Sequence, residues 1–154
     1  MRVVVQRVSR AAVHRLDVEP VEVRCIELGL VLLCGFQAAD DPATLRWIAE
    51  KCLGLRIFAD DTGAMNRDVG ECGGEVLVVP NFTLYGDARK GRRPSFTQAA
   101  PAEVAGRHFE AFVEMLRAGR VPVEAGWFQA HMSVEIANDG PVTLVLERDP
   151  EPAT

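Results

Sequence analysis

Apolar positions along this chain fall into alternating runs, continuous runs and three-to-four-residue repeats, and each kind predicts a different element. Met1 to Val13 is rich in valine but broken by Gln6, Arg7, Ser9 and Arg10, which predicts a first strand with a polar edge. Val21 to Ile26 alternates and predicts a half-exposed strand, while Leu28 to Phe36 is almost continuously apolar and predicts a central one. The three make an antiparallel start. Asp41 before Pro42 is a helix-start signal, and Leu45, Ile48, Ala49, Cys52 and Leu53 then recur on one face until Gly54. Leu55 to Phe58 predicts a short strand, residues 60–63 a turn and residues 65–74 a loop. Val76 to Val79 predicts a buried strand that Pro80 brings to an end, because proline offers no ladder donor. Pro101 opens a second helix with Val104, Ala105, His108, Phe109, Phe112, Val113 and Leu116 along one side and Gly119 near its end, followed by an extended connector at residues 121–123. Met132 to Ala137 and Val142 to Glu147 alternate around Asn138-Asp139-Gly140-Pro141, which taken alone predicts a hairpin tip.

The expected fold class is therefore α+β: one domain over residues 1–148, a mostly antiparallel sheet and two main helices, with residues 149–154 as a frayed, proline-rich tail. A chain of 154 residues with 48% hydrophobic and 25% charged positions is long enough for a proper core. The net charge of −5 argues against broad, nonspecific binding to nucleic acid or membranes. No stretch approaches the ~20 apolar residues of a membrane span, and the protein is expected in the cytoplasm. Cys25, Cys34, Cys52 and Cys72 contain no C-x-x-C pair, and His14, His108 and His131 are scattered, so neither a zinc site nor a disulfide framework is expected. No metal and no cofactor is predicted.

The acidic balance makes one basic segment stand out: Arg89, Lys90, Arg92 and Arg93 follow closely on the strand break at Pro80-Asn81-Phe82-Thr83. A polar strand end beside a cationic loop suits an anionic substrate with a reactive carbonyl. Signatures of covalent hydrolases are missing, and a covalent route would rest on Thr83 with no base beside it in sequence. Hydrolysis of an activated ester, with the backbone N–H groups of Phe82 and Thr83 holding the developing oxyanion, fits better.

The run Asn81 to Asp87, continued by Arg89-Lys90-Gly91-Arg92-Arg93-Pro94-Ser95-Phe96, together with Asn138 to Thr143, resembles the D-aminoacyl-tRNA deacylases. Met1 to Val8, Leu55 to Phe58 and Met65-Asn66 extend the resemblance over nearly the whole chain. It implies a barrel-like core and a homodimeric, cofactor-free hydrolase that cleaves the ester between a D-amino acid and the 3′-terminal adenosine of tRNA, and that also removes glycine mischarged on tRNA(Ala). It implies a cis Gly140-Pro141 peptide inserted into the partner subunit's pocket, where its backbone excludes L side chains. Arg7 would hold the Gly-Pro carbonyls, Met132 would line the pocket, and Pro80, Asn81 and Asn138 would complete the substrate site. Arg89, Lys90, Arg92 and Arg93 would meet the tRNA.

Three departures accompany the resemblance. Pro80-Asn81 stands where the family has Ser-Gln, while Gln129 and His131 replace a glycine and an aspartate ahead of Met132. His131 is read as a surface residue, with a local base as the alternative. Two further readings stay open at this point: a relaxed editing enzyme that clears glycine or a small L-amino acid, and a noncatalytic dimeric RNA-binding module.

Overall fold

The computed structural model describes residues 1–150 as eight strands and two α-helices; four of the six residues of the expected tail lie outside the described residues. The expected antiparallel start is present. β1 (Arg2–Arg15) pairs antiparallel with β2 (Glu22–Ile26) through Ala11 to Arg15 and with β3 (Gly29–Gly35) through Arg2 to Val8. β3 continues the sheet through parallel β6 (Glu75–Pro80), and β6 through parallel β7 (Val123–Ala125). β8 (Met132–Glu147) runs antiparallel along both halves of β1, so the sheet is mostly antiparallel and nearly closed on itself.

α1 (Pro42–Leu53) begins as its sequence dictates: the Asp41 carboxylate accepts the Thr44 N–H at 2.7 Å, and Pro42 occupies a first-turn position where no N–H is needed. Leu45, Ile48, Ala49 and Cys52 are buried under it. α2 (Ala102–Arg117) starts just after Pro101 and buries Ala105, Phe109, Phe112, Val113 and Leu116. Both helices pack on one face of the sheet against Val3, Val5, Leu30, Leu32, Val76 and Val78. The second face is covered by the sheet itself: Val8, Ala11 and Val13 of β1 pack with Val31, Leu77 and Val79. One strand serves both cores because the β1–β8 register slips between Val8 and Arg10, which turns Ala11 and Val13 to the side Val8 already faces.

Four predicted elements are corrected. The strand expected at Leu55 to Phe58 is β4 (Phe58–Ala59), and the expected loop after Met65 begins with β5 (Met65–Arg67), the two forming a small separate hairpin. Asp60 closes its turn by accepting from Thr62 N and Thr62 Oγ1, which holds the carboxyl down at about pKa 2. The connector at residues 121–123 leads into strand β7. The hairpin tip at residues 138–141 is an outward excursion within one continuous strand: Gln6 pairs with Thr143 and Val8 with Asn138, so Arg7 alone stands opposite residues 139–142.

Candidate functional site

The end of β6 builds the site. The ladder with β3 continues one residue past Pro80, with Asn81 N–H donating to the Cys34 carbonyl at 2.7 Å, and then the chain turns into a 3-10 helix, Phe82–Tyr85. The Asn81 side chain caps that helix: its Oδ1 accepts the Thr83 N–H at 3.2 Å and also the Thr83 hydroxyl. Of the Phe82 and Thr83 N–H groups expected to hold the oxyanion, that of Thr83 is therefore already committed to Asn81. Phe82 N–H finds no acceptor among the described residues. Gly35 makes the close approach possible, since a Cβ there would lie 3.1 Å from the Tyr85 ring and 3.2 Å from the Asn81 carbonyl.

Beside this turn lies a cavity of about 410 Å³. Cys34 and Phe36 at the end of β3, Pro80, Asn81 and Phe82, the start of α2 (Ala100, Ala102, Ala105), and Phe128, Gln129, Ala130 and Met132 line it. The lining is largely apolar, and its one titratable side chain, Cys34, has a thiol that burial pushes well above its ordinary pKa. Gly126 leaves room for Met132, whose sulfur would sit 3.1 Å from a Cβ at that position and accepts the Trp127 N–H at 3.4 Å. Gln129 lines the wall with φ +56°, the only non-glycine residue at positive φ among the described residues. His131 is exposed and absent from the lining; its carbonyl accepts the Leu16 N–H.

The second cluster lies in the β8 excursion. Gly140 and Pro141 are joined by a cis peptide bond and both are exposed; a second cis bond, Glu19-Pro20, was not anticipated. Gly140 has φ +129°, and an added Cβ would lie 2.8 Å from Val142 Cγ2, so glycine is required there. Asn138 closes the base of the excursion, its Oδ1 accepting Val142 N–H at 2.9 Å and its Nδ2 donating to Thr143 Oγ1 at 3.1 Å. Arg7, with its side chain only 12% exposed, donates from Nε to the Asp139 carbonyl at 3.1 Å and from Nη1 to the Ile57 carbonyl at 2.5 Å. Within the excursion its acceptor is thus the carbonyl just before Gly140, where the Gly-Pro carbonyls themselves were expected. Within one chain Pro80, Asn81, Phe82 and Met132 come together in the pocket wall, with Thr83 attached through Asn81. Arg7, Asn138, Gly140 and Pro141 gather elsewhere and line none of that cavity.

The cationic loop divides unevenly. Arg89 is held bidentately by Asp87 from Nε and Nη2 at 2.9 and 2.6 Å, which keeps the carboxyl at about pKa 2, and the loop's ends are tied by the Asp87–Ser95 bridge. Lys90, Arg92 and Arg93 are exposed and have no ion-pair partner among the described residues. Two residues that sequence reasoning missed support the turn. Arg2 donates to the Leu84 carbonyl at 2.5 Å, lies 4.8 Å over the Tyr85 ring and pairs with Glu147, while Phe96 meets Phe82 edge-on at 5.2 Å. Arg2 ahead of three consecutive valines reads only as the start of a strand; its partners lie more than 80 positions away. Among the described residues no group of three or more His, Cys, Asp or Glu could hold a metal ion, and no helix is long and apolar enough to cross a membrane.

A family model described as D-Tyr-tRNA(Tyr) deacylase matches residues 4–147. A protein of Heliobacterium modesticaldum named D-aminoacyl-tRNA deacylase is 57% identical over 147 residues, covering 96% of each chain. One of the same name from Carboxydothermus hydrogenoformans is 53% identical, covering 96% of this chain and 99% of its own. Among solved structures, a c-Myc DNA unwinding element binding protein superposes with a TM-score of 0.88 at 37% identity, covering 97% of this chain and all of its own. A probable eukaryotic D-amino acid tRNA deacylase, at 20% identity and a TM-score of 0.79 over 94% of this chain and 97% of its own, shares the fold.

Proposed function

The chain belongs to the D-Tyr-tRNA(Tyr) deacylase family, and from that membership and the site's geometry we propose how it hydrolyses the ester of D-aminoacyl-tRNA to free D-amino acid and tRNA. The observation that carries the reading is the pairing of an apolar cavity with the Asn81-capped turn. The ester carbonyl sits against that turn, where Phe82 N–H is the uncommitted donor for the oxyanion that develops as water attacks. The hydroxyl proton of Thr83 is already given to Asn81 Oδ1, a neutral amide that cannot serve as a base. Thr83 is accordingly a support of the turn and an acceptor facing the substrate. With no protein base at hand, the ribose 2′-OH beside the ester assists the attacking water, and the 3′-oxygen leaves with the proton. These steps use no metal or cofactor.

Chiral selection comes from a second copy of the chain. The exposed Gly140-Pro141 segment enters the partner's pocket and completes it, so the homodimer is the working unit. A wall of backbone there clashes with an L side chain and leaves D side chains unconstrained; glycine has nothing to clash with and is cleared from tRNA(Ala) as well. Lys90, Arg92 and Arg93 meet backbone phosphates of the tRNA, and Arg89 stiffens the loop that presents them. The enzyme acts in the cytoplasm, where charged tRNA is found. The direct test is hydrolysis of matched D-Tyr-tRNA and L-Tyr-tRNA by the purified protein with chelator present. Rapid loss of the D ester alone is expected; equal loss of both would overturn strict chirality, and loss of neither would overturn the activity.

A further inference from the structure

Gln129 stands out on two independent grounds. It occupies a backbone conformation that glycine and asparagine adopt readily and glutamine does not, and it does so in the wall of the cavity. Residues kept in such conformations persist where the surroundings over-determine them, and they gather at ligand sites. Its side chain is exposed at the rim of the cavity, where a ligand can reach it. Of the two amide side chains in the wall, Asn81 has committed its oxygen to Thr83, whereas the Gln129 side chain has no hydrogen-bond partner among the described residues. The rest of the wall is alanine, proline, phenylalanine, methionine and the Cys34 thiol, which points its weak donor at the Leu32 carbonyl.

We propose that Gln129 is a specificity-determining residue: its carboxamide hydrogen-bonds the polar edge of the flat ring that fills the apolar pocket. Two parts of the substrate present such an edge, the terminal adenine and the side chain of an aromatic D-amino acid. This inference rests on the deacylase reading. An apolar wall accepts any flat ring of suitable size, and one uncommitted amide at its rim is what distinguishes a ring with a hydrogen-bonding edge from one without.

The test is steady-state kinetics on D-Tyr-tRNA and D-Phe-tRNA with three proteins: wild type, Gln129→Met and Gln129→Gly. Gln129→Met keeps length and backbone strain but not the amide, and is expected to raise KM about 3- to 10-fold with kcat within twofold, the span of one neutral hydrogen bond. Gln129→Gly should show the same KM with a Tm higher by about 2 to 4 °C, because the strain is relieved. An effect on D-Tyr-tRNA that disappears with D-Phe-tRNA places the amide on the amino-acid ring; an equal effect on both places it on the adenine. Unchanged KM in both variants, with or without the gain in Tm, would overturn the inference while leaving the deacylase reading intact. A wild-type protein that cleaves neither ester would overturn the reading itself and this inference with it.

Discussion

The pocket wall and the Gly140-Pro141 excursion are built by different means. The wall is packed: Pro80 to Phe82 ride on a strand between two cores, and Gly35 and Gly126 let neighbouring groups close in. The excursion projects from the sheet and is shaped by two hydrogen bonds between side chain and backbone, one donated by Arg7 to the Asp139 carbonyl and one accepted by Asn138 from the Val142 N–H. A packed wall tolerates small errors by repacking, whereas a loop set by a few directional bonds loses its shape when one of them goes. Chemistry and chirality should therefore respond separately to mutation.

The sharpest way to break that comparison is Gly140→Ala, which places a Cβ 2.8 Å from Val142 Cγ2. It should cut D-over-L discrimination about 100-fold, read from matched D-Tyr- and L-Tyr-tRNA turnover; preserved discrimination would shift chirality to the wall. Arg7→Ala should follow, lowering discrimination about 10- to 100-fold because the Asp139 and Ile57 carbonyls lose a charged donor. Arg7→Lys should recover only part of it, since one ammonium cannot span the Asp139 and Ile57 carbonyls as a fork does. On the wall side, Thr83→Ala should lower kcat less than about 10-fold without touching discrimination; a loss beyond about 10⁴-fold would make the hydroxyl a nucleophile after all.

A gentler probe is pH. No side chain in the pocket wall titrates near neutrality, because the Cys34 thiol is displaced upward. The kcat profile should show no enzyme inflection between about pH 5 and 8, and a break near pH 6.5 would restore a histidine to the mechanism. The smallest effect is expected in the cationic loop, where Arg92→Gln or Arg93→Gln should each reduce the salt slope of log KM by about 0.7 to 0.9, and Arg89→Gln by much less because Asp87 already neutralises it. Since the Asp87 carboxyl is depressed to about 2, whatever stability it contributes is complete above its unfolded pKa of about 4 and is lost only as pH falls through about 2. The loop anchor is thus intact over the whole assay range.

Local chemistry made the helices legible: Asp41-Pro42 and the Leu45–Cys52 periodicity needed no knowledge of distant partners. The three-residue strands β5 and β7 left no pattern to read, since they exist only because Phe58 and β6 lie beside them. Asn138-Asp139-Gly140-Pro141 carried a turn signal that was read locally as a chain reversal. A turn and a bulge ask for the same residues, and only the pairing of both flanks with β1 tells them apart. At the site, the motif residues were visible as a resemblance, which gave Arg7 the Gly-Pro carbonyls as acceptors, whereas its acceptors in the structure are the Asp139 and Ile57 carbonyls. Which carbonyls face Arg7 depends on the β1–β8 register, which composition does not record.

β8 carries Met132 at one end and the Gly140-Pro141 excursion further along, with Ser133 to Ala137 extended between them. That stretch is a measuring rod. Adding or removing two residues within it would leave every side chain on its proper face, yet slide the excursion by about 7 Å past Arg7. Substitutions along the rod are cheap and changes of length are not, so divergence in this segment should be written in the identity of residues and hardly ever in their number.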